Sequence, residues 1–165
     1  MKKTLLAFLM LLISMISFSQ TEKKNGTIYI NHPYIDVVNK TVKGYTSKDM
    51  ALWKSCFADT AKFTISGFEK SFTVKENEVA LLRDFKFFDN IVVKQVGYPD
   101  YLHYDDGDQK VVQSWWKWTG KSKKTGKQLT IYFVEFDWFN NAGKIFRETT
   151  LGDFSKQFAE EGVVL

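Results

Sequence analysis

The chain has one cysteine, Cys56, and two histidines, His32 and His103, among its 165 residues. A single cysteine closes no internal disulfide, so stability must come from packing. Catalysis by its thiol would need a base partner, and nothing in the spacing joins either histidine to Cys56. Two isolated histidines are also few ligands for a metal. HxH, HExxH and CxxC are absent, and neither a metal site nor a cofactor is expected. The stretch Asp105–Asp108 lacks the ligand spacing of an EF-hand loop and reads as a turn. Proline is scarce as well, with only Pro33 and Pro99, whereas Phe, Trp and Tyr make up 16% of the chain. That aromatic content excludes a disordered polymer.

Long hydrophobic runs are limited to one, Thr4 to Phe18. Lys2 and Lys3 precede it, and Ser17 and Ser19 stand at −3 and −1 of a cut before Gln20, the layout of a secretory signal peptide. The run is about fifteen residues, short of the roughly 20 that span a bilayer. No cysteine sits at the cut to carry a lipid. The expectation is an exported protein, periplasmic or secreted, with no stable membrane anchor after cleavage. Removing 19 of the 165 residues leaves 146, the size of one ordinary domain. The chain divides into a signal peptide (1–19), an N-terminal extension (20–32), a folded domain (33–158) and a C-terminal tail (159–165). Losing Lys2 and Lys3 lowers the formal charge from +4 to +2. Lys121, Lys123, Lys124 and Lys127 cluster around Gly120 and Gly126, and read as a solvated hairpin tip; nucleic acid is not an expected partner.

Helical signals come first. Pro33 punctuates a start, and Tyr34, Val38, Val42 and Tyr45 share one face. Ser47 is a good cap for a short second helix carrying Met50, Leu52, Trp53 and Phe57. Ala61 to Ser66 reads as a strand. Thr73 and Glu76 form a capping box for a third helix with Glu78, Leu81, Leu82, Phe85 and Phe88 on its inner face. Four β-branched and aromatic runs follow: Ile91–Val96, Val111–Thr119, Leu129–Phe139 and Lys144–Phe154. Turn-rich dividers separate them at Gly97–Gly107, Gly120–Gly126 and Asn140–Gly143. Helices followed by an antiparallel meander predict an α+β domain, with N-terminal helices packed in a strongly curved antiparallel sheet.

The order of these pieces resembles nuclear transport factor 2-like domains, including the SnoaL-like polyketide cyclases. The phrase FADTAKF at Phe57–Phe63 is similar to one that members carry just before their first strand. The ending AGKIFRETTLGDF, Ala142–Phe154, is similar to the family's closing hairpin, with Asp153 as its closing acidic residue. The resemblance implies a cone-shaped α+β barrel with an apolar cavity, found in isomerases, dehydratases, cyclases, epoxide hydrolases and binding modules. It also implies dimerisation through the sheet. SnoaL-like enzymes tend to read E-H-W-D after G-K-I. The matching positions here are Arg147, Glu148, Thr149 and Thr150, so Glu148 stands for the His and Thr150 for the acid/base Asp. Thr150 takes no proton at neutral pH, which argues against SnoaL-type cyclisation.

Strand alternation places Ile131, Phe133, Glu135, Asp137 and Phe139 on one face of the penultimate strand, and Thr130, Tyr132, Val134, Phe136 and Trp138 on the other. A two-residue turn at Ala142–Gly143 sets Asp137 opposite Glu148 and Glu135 opposite Thr150, with Phe146, Glu148 and Thr150 on one face. If the acidic face lines the cavity, Asp137, Glu148 and Glu135 are candidate catalytic groups. Tyr34, Trp53, Trp116, Phe133 and Thr150 are candidate ligand contacts. The other face is the more apolar, which favours acids turned to water. Trp115, Trp116 and Trp118 alternate, so no face takes all three, and an exposed aromatic patch suits a homodimer or, as a sharper alternative, a sugar-stacking platform. The leading expectation is an exported module that binds an apolar small molecule or a partner without catalysis. The alternatives are an acid/base enzyme of isomerase, dehydratase or epoxide hydrolase type, and a structural homodimer.

Overall fold

The computed structural model describes residues 23–163; the segment read as a signal peptide, 1–19, lies outside the described residues. Helix α1 (Pro33–Thr46) starts with His32, whose Nδ1 accepts the Tyr34 backbone N–H at 3.2 Å. Pro33 sits in the first turn, where a missing N–H costs nothing. The buried row is Ile35, Val38, Thr41 and Tyr45, turned slightly from the predicted one. Ser47 closes α1, its N–H reaching the Lys43 carbonyl. The cap of α2 (Met50–Ser55) is instead Asp49, which accepts the Leu52 N–H at 2.9 Å. Gly44 lets the two helices touch: a Cβ there would meet the Trp53 backbone nitrogen at 2.7 Å.

Strands β1 (Thr27–Tyr29), β2 (Phe57–Ile65) and β3 (Phe72–Thr73) precede α3 (Val74–Phe87), whose Thr73–Glu76 capping box forms as predicted. Its inward row is Asn77, Leu81 and Asp84, one step round from the predicted face, and Leu82 points outward. Then come β4 (Phe88–Gln95), β5 (Asp100–His103), β6 (Lys110–Ser122), β7 (Gln128–Phe139), β8 (Ile145–Gly152) and α4 (Ser155–Glu161). The sheet runs β1-β5-β6-β7-β8-β2-β3 and is not closed. β6 carries β5 along its first residues and β4 along its last. This is the α+β cone that the sequence predicts.

Three details differ from the prediction. The sheet is not antiparallel throughout, because β2 joins β8 in parallel, Phe63 beside Glu148 and Ile65 beside Thr150. These strands are distant in sequence, so no hairpin fixes their relative direction. FADTAKF lies inside β2 rather than before it. β5 falls within a stretch read as a divider, being four residues long without apolar alternation.

Two apolar clusters hold the cone. One gathers Ile35, Val38, Trp53, Phe57, Phe63, Val112, Trp116, Phe139 and Ile145. The other gathers Tyr45, Phe88, Trp118 and Ile131. Phe63 and Phe88 are fully buried, worth about 2–3 kcal/mol each. Cys56 is a free, buried thiol at the end of α2, and burial pushes its pKa up, the reverse of an activated nucleophile. Among the described residues, no helix is long and apolar enough to cross a membrane.

Candidate functional site

Glu135 pairs Thr150 across β7 and β8, and Asp137 pairs Glu148, the register that the sequence predicts. The route to that register differs. The Asn140 N–H bonds the Lys144 carbonyl at 3.0 Å, leaving three residues in the turn. A bulge then adds one residue to β8, since Phe139 pairs Ile145 while Trp138 pairs Arg147. The extra turn residue and the extra strand residue cancel. Phe146 is the bulged residue and is 42% exposed, so it does not share the face of Glu148 and Thr150 as predicted; Ile145 is buried in its stead.

The acidic face turns inward, against the expectation that it meets water. Asp137 is 2% exposed, while Tyr132 on the other face is 61% exposed. The physical reason is the direction of curvature. The helices pack on the concave side, and the side they cover is buried whatever its composition.

A cavity of about 140 Å³ opens between the sheet and α1, α3 and α4, where the two apolar clusters meet. Leu81, Val93, Trp118 and Phe154 give it apolar walls, and Glu135, Glu148 and Thr150 give it a polar floor. Of the sequence-predicted residues, Glu135, Glu148, Trp53, Phe133 and Thr150 line this space. Asp137 stands outside the lining, within hydrogen-bond reach of Glu148. Tyr34 stacks on Phe139 with ring centroids 4.3 Å apart, and Trp116 donates its indole N–H to Ser114 Oγ at 2.8 Å inside the core. Neither reaches the cavity wall.

Electrostatics make the acid group unusual. Burial first, then the charge of Glu148, holds the Glu135 carboxyl well above the ordinary carboxylate range. Burial and then Glu135 raise Asp137, and burial and then Asp137 raise Glu148. Thr150 gives partial relief, its hydroxyl reaching Glu148 Oε1 at 3.4 Å. Asp137 Oδ1 is buried with no hydrogen-bond partner. Removing one carboxylate from water costs several kcal/mol, and three adjacent ones oppose one another's ionisation, so this group keeps its protons to higher pH than free carboxyls do.

A second polar cluster on the same cavity escaped the sequence reading. Tyr45 Oη donates to Asp84 Oδ2 at 2.5 Å and accepts from the Trp118 indole N–H at 2.9 Å. Gln157 Nε2 donates to Asp84 Oδ1 at 2.9 Å and to Glu161 Oε1 at 3.1 Å. Arg83 Nε meets Glu161 Oε2 at 2.6 Å. Burial, then the charge of Glu161, raises the Asp84 pKa well above its usual range. The available signal was the Asn77–Leu81–Asp84 row, polar residues at inward helical spacing. The network also fastens α4, three residues of which extend past the domain end placed at 158.

Among the described residues, no group of three or more His, Cys, Asp or Glu side chains is arranged to hold a metal ion. No protein-family profile and no curated protein matches the sequence. Solved structures do match in shape. A candidate polyketide cyclase from Streptomyces antibioticus is 14% identical, with a TM-score of 0.63 over 80% of this chain and 100% of that one. A candidate isomerase from Bacillus subtilis is 14% identical, with a TM-score of 0.61 over 80% of this chain and 94% of that one. An NTF2-like protein from Burkholderia thailandensis is 19% identical, with a TM-score of 0.60 over 79% of this chain and 97% of that one. At such identities the likeness is one of architecture, and it agrees with the sheet order, the helical filling and the cavity: the chain has the nuclear transport factor 2-like fold.

Proposed function

We propose that the protein binds a small, largely apolar molecule in its cone and moves a proton on it through Glu135 and Glu148. The observation that carries this reading is two protonatable carboxyls side by side on the sheet wall of a cavity with Leu81, Val93, Trp118 and Phe154 around it, with Asp137 behind them and, among the described residues, Arg83 as the one cation of the lining, held by Glu161. A protonated carboxyl in such a place donates to a developing oxyanion, and an ionised neighbour accepts a proton from carbon. The two roles exchange as the proton passes, so the net charge of the group is kept. The fold-level neighbours include candidate cyclases and isomerases, which is support by analogy only.

The test is deuterium exchange at the α-carbon of a small ketone, cyclohexanone, followed by NMR. Catalysed exchange that falls by about 100-fold in Glu135→Gln and Glu148→Gln supports proton transfer. Binding of the ketone with exchange no faster than in buffer returns the protein to the non-catalytic binding class.

The export reading stands on the first nineteen residues, and sequencing the amino terminus of protein recovered outside the cytoplasm should start at Gln20. A homodimer through the convex sheet face is supported by Tyr132, Phe146 and Leu151, which are exposed there.

A further inference from the structure

The cavity wall carries three carboxyl groups, Asp84, Glu135 and Glu148. Asp137 adds a fourth just outside the lining, with an oxygen that nothing in the described structure satisfies. Among the described residues, Arg83 is the one cationic side chain on that wall, and Glu161 already holds it at 2.6 Å. The space therefore has an excess of acid and no positive charge to meet it. The remaining walls offer the faces and edges of Tyr45, Trp118, Phe133 and Phe154.

We propose that the occupant is a small organic cation, an ammonium group on an apolar body, seated with its charge against Glu135 and Glu148 and its body against the aromatic walls. This rests on the reading of the cone as a small-molecule site and names the class of molecule it takes. A neutral molecule of the same shape would meet protonated acids and gain one ordinary hydrogen bond. An ammonium ion gains a charge-assisted bond in a water-poor space and attraction to the ring faces. Balance requires one carboxyl to release its proton to solvent as the cation enters, so ammonium in and proton out leave the charge of the site unchanged. An anion would be repelled once any of the acids ionised.

The groups facing this event come from five elements: Glu135 and Asp137 from β7, Glu148 from β8, Asp84 and Arg83 from α3, Tyr45 from α1 and Glu161 from α4. Asp84 already accepts from Tyr45 and Gln157, and Arg83 is committed to Glu161. The sheet acids have weaker donors, Thr150 at 3.4 Å from Glu148 and the Trp116 indole beside Glu135, and crowd one another, so the released proton comes from them, and cation affinity rises with pH.

Isothermal titration of the full chain with benzylamine and with benzyl alcohol, at pH 6, 7 and 8, tests this. Benzylamine should bind about ten-fold tighter at pH 7, with the gap widening at pH 8. Heats in buffers of different ionisation enthalpy should report about one proton released per amine bound. The double variant Glu135→Gln/Glu148→Gln should lose the preference and keep benzyl alcohol, its thermal unfolding confirming that it folds. Benzyl alcohol binding as tightly as the amine, or amine binding without proton release, overturns the cation while leaving the cavity as a site. If neither ligand binds, the cation and the small-molecule reading fall together.

Discussion

The cone holds two buried acid groups that obey opposite rules. Asp84 is satisfied on both oxygens, by Tyr45 and Gln157, and its network runs on to Trp118, Glu161 and Arg83. The Glu135–Asp137–Glu148 group has weak donors only, the Thr150 hydroxyl at 3.4 Å from Glu148 and the Trp116 indole beside Glu135, and leaves one oxygen of Asp137 without a partner. Fully partnered polar networks fix a unique packing; partly partnered ones are expensive and persist where they serve something other than stability. The first group is therefore a fastening for α4, and the second is the one we propose for the chemistry.

The largest effect that would break this contrast is removal of Asp84. Asp84→Ala strands the Tyr45 hydroxyl and the Gln157 amide, and should cost about 3 kcal/mol in urea unfolding. A cost no larger than that of changing a sheet acid would erase the distinction.

Next comes pH. Asp84, Glu135, Asp137 and Glu148 all have folded pKa values raised, by burial first. The folded chain keeps these protons while the unfolded chain sheds them from about pH 4 upward. Their stabilising contribution is complete below that range, shrinks as pH rises, and is gone once the raised values are passed. Calorimetry should show Tm highest on the acid side and falling towards pH 8. Glu135→Gln and Glu148→Gln should flatten that slope, each unit of upward displacement being worth about 1.4 kcal/mol.

A smaller effect is expected from Asp137→Asn. Replacing a buried acid that has one unpartnered oxygen by a neutral amide should change urea stability by no more than about 1 kcal/mol, and towards gain. A large loss would show that Asp137 is a structural partner after all. Smallest is Tyr132→Lys on the convex face. It should shift stability by less than about 0.5 kcal/mol, while sedimentation moves from dimer to monomer if that face is shared between two copies.

The alternation that gathers Glu135 and Asp137 on one face was legible in the sequence, whereas their pairing with Thr150 and Glu148 was reached through a two-residue turn that is in fact three residues long, the bulge at Phe146 restoring the parity. The capping box of Thr73 and Glu76 was legible because it is local. What the sequence hid was the direction of bending. Tyr132, Val134, Phe136 and Trp138 make the more apolar face of β7, yet Tyr132 is exposed and Asp137 is not. A strand's composition compares its two faces; which one the helices cover is decided by the rest of the sheet. Asp84 was missed for a related reason, since an acid in an inward helical row looks like an error of phase until Tyr45 and Gln157 arrive from elsewhere. The parallel union of β2 and β8 leaves no local mark in either strand.

The cancelling irregularities in the β7–β8 hairpin give the segment something like a reading frame. Dropping one residue from 141–143, with the bulge at Phe146 retained and the turn kept at three residues by drawing in Lys144, would swing Arg147 and Thr149 towards the helices and send Glu148 and Thr150 out to solvent. Length changes there are tolerable in steps of two, or when the turn or the bulge takes up the odd residue. Any catalogue of variants should show that parity before it shows any preference for particular side chains.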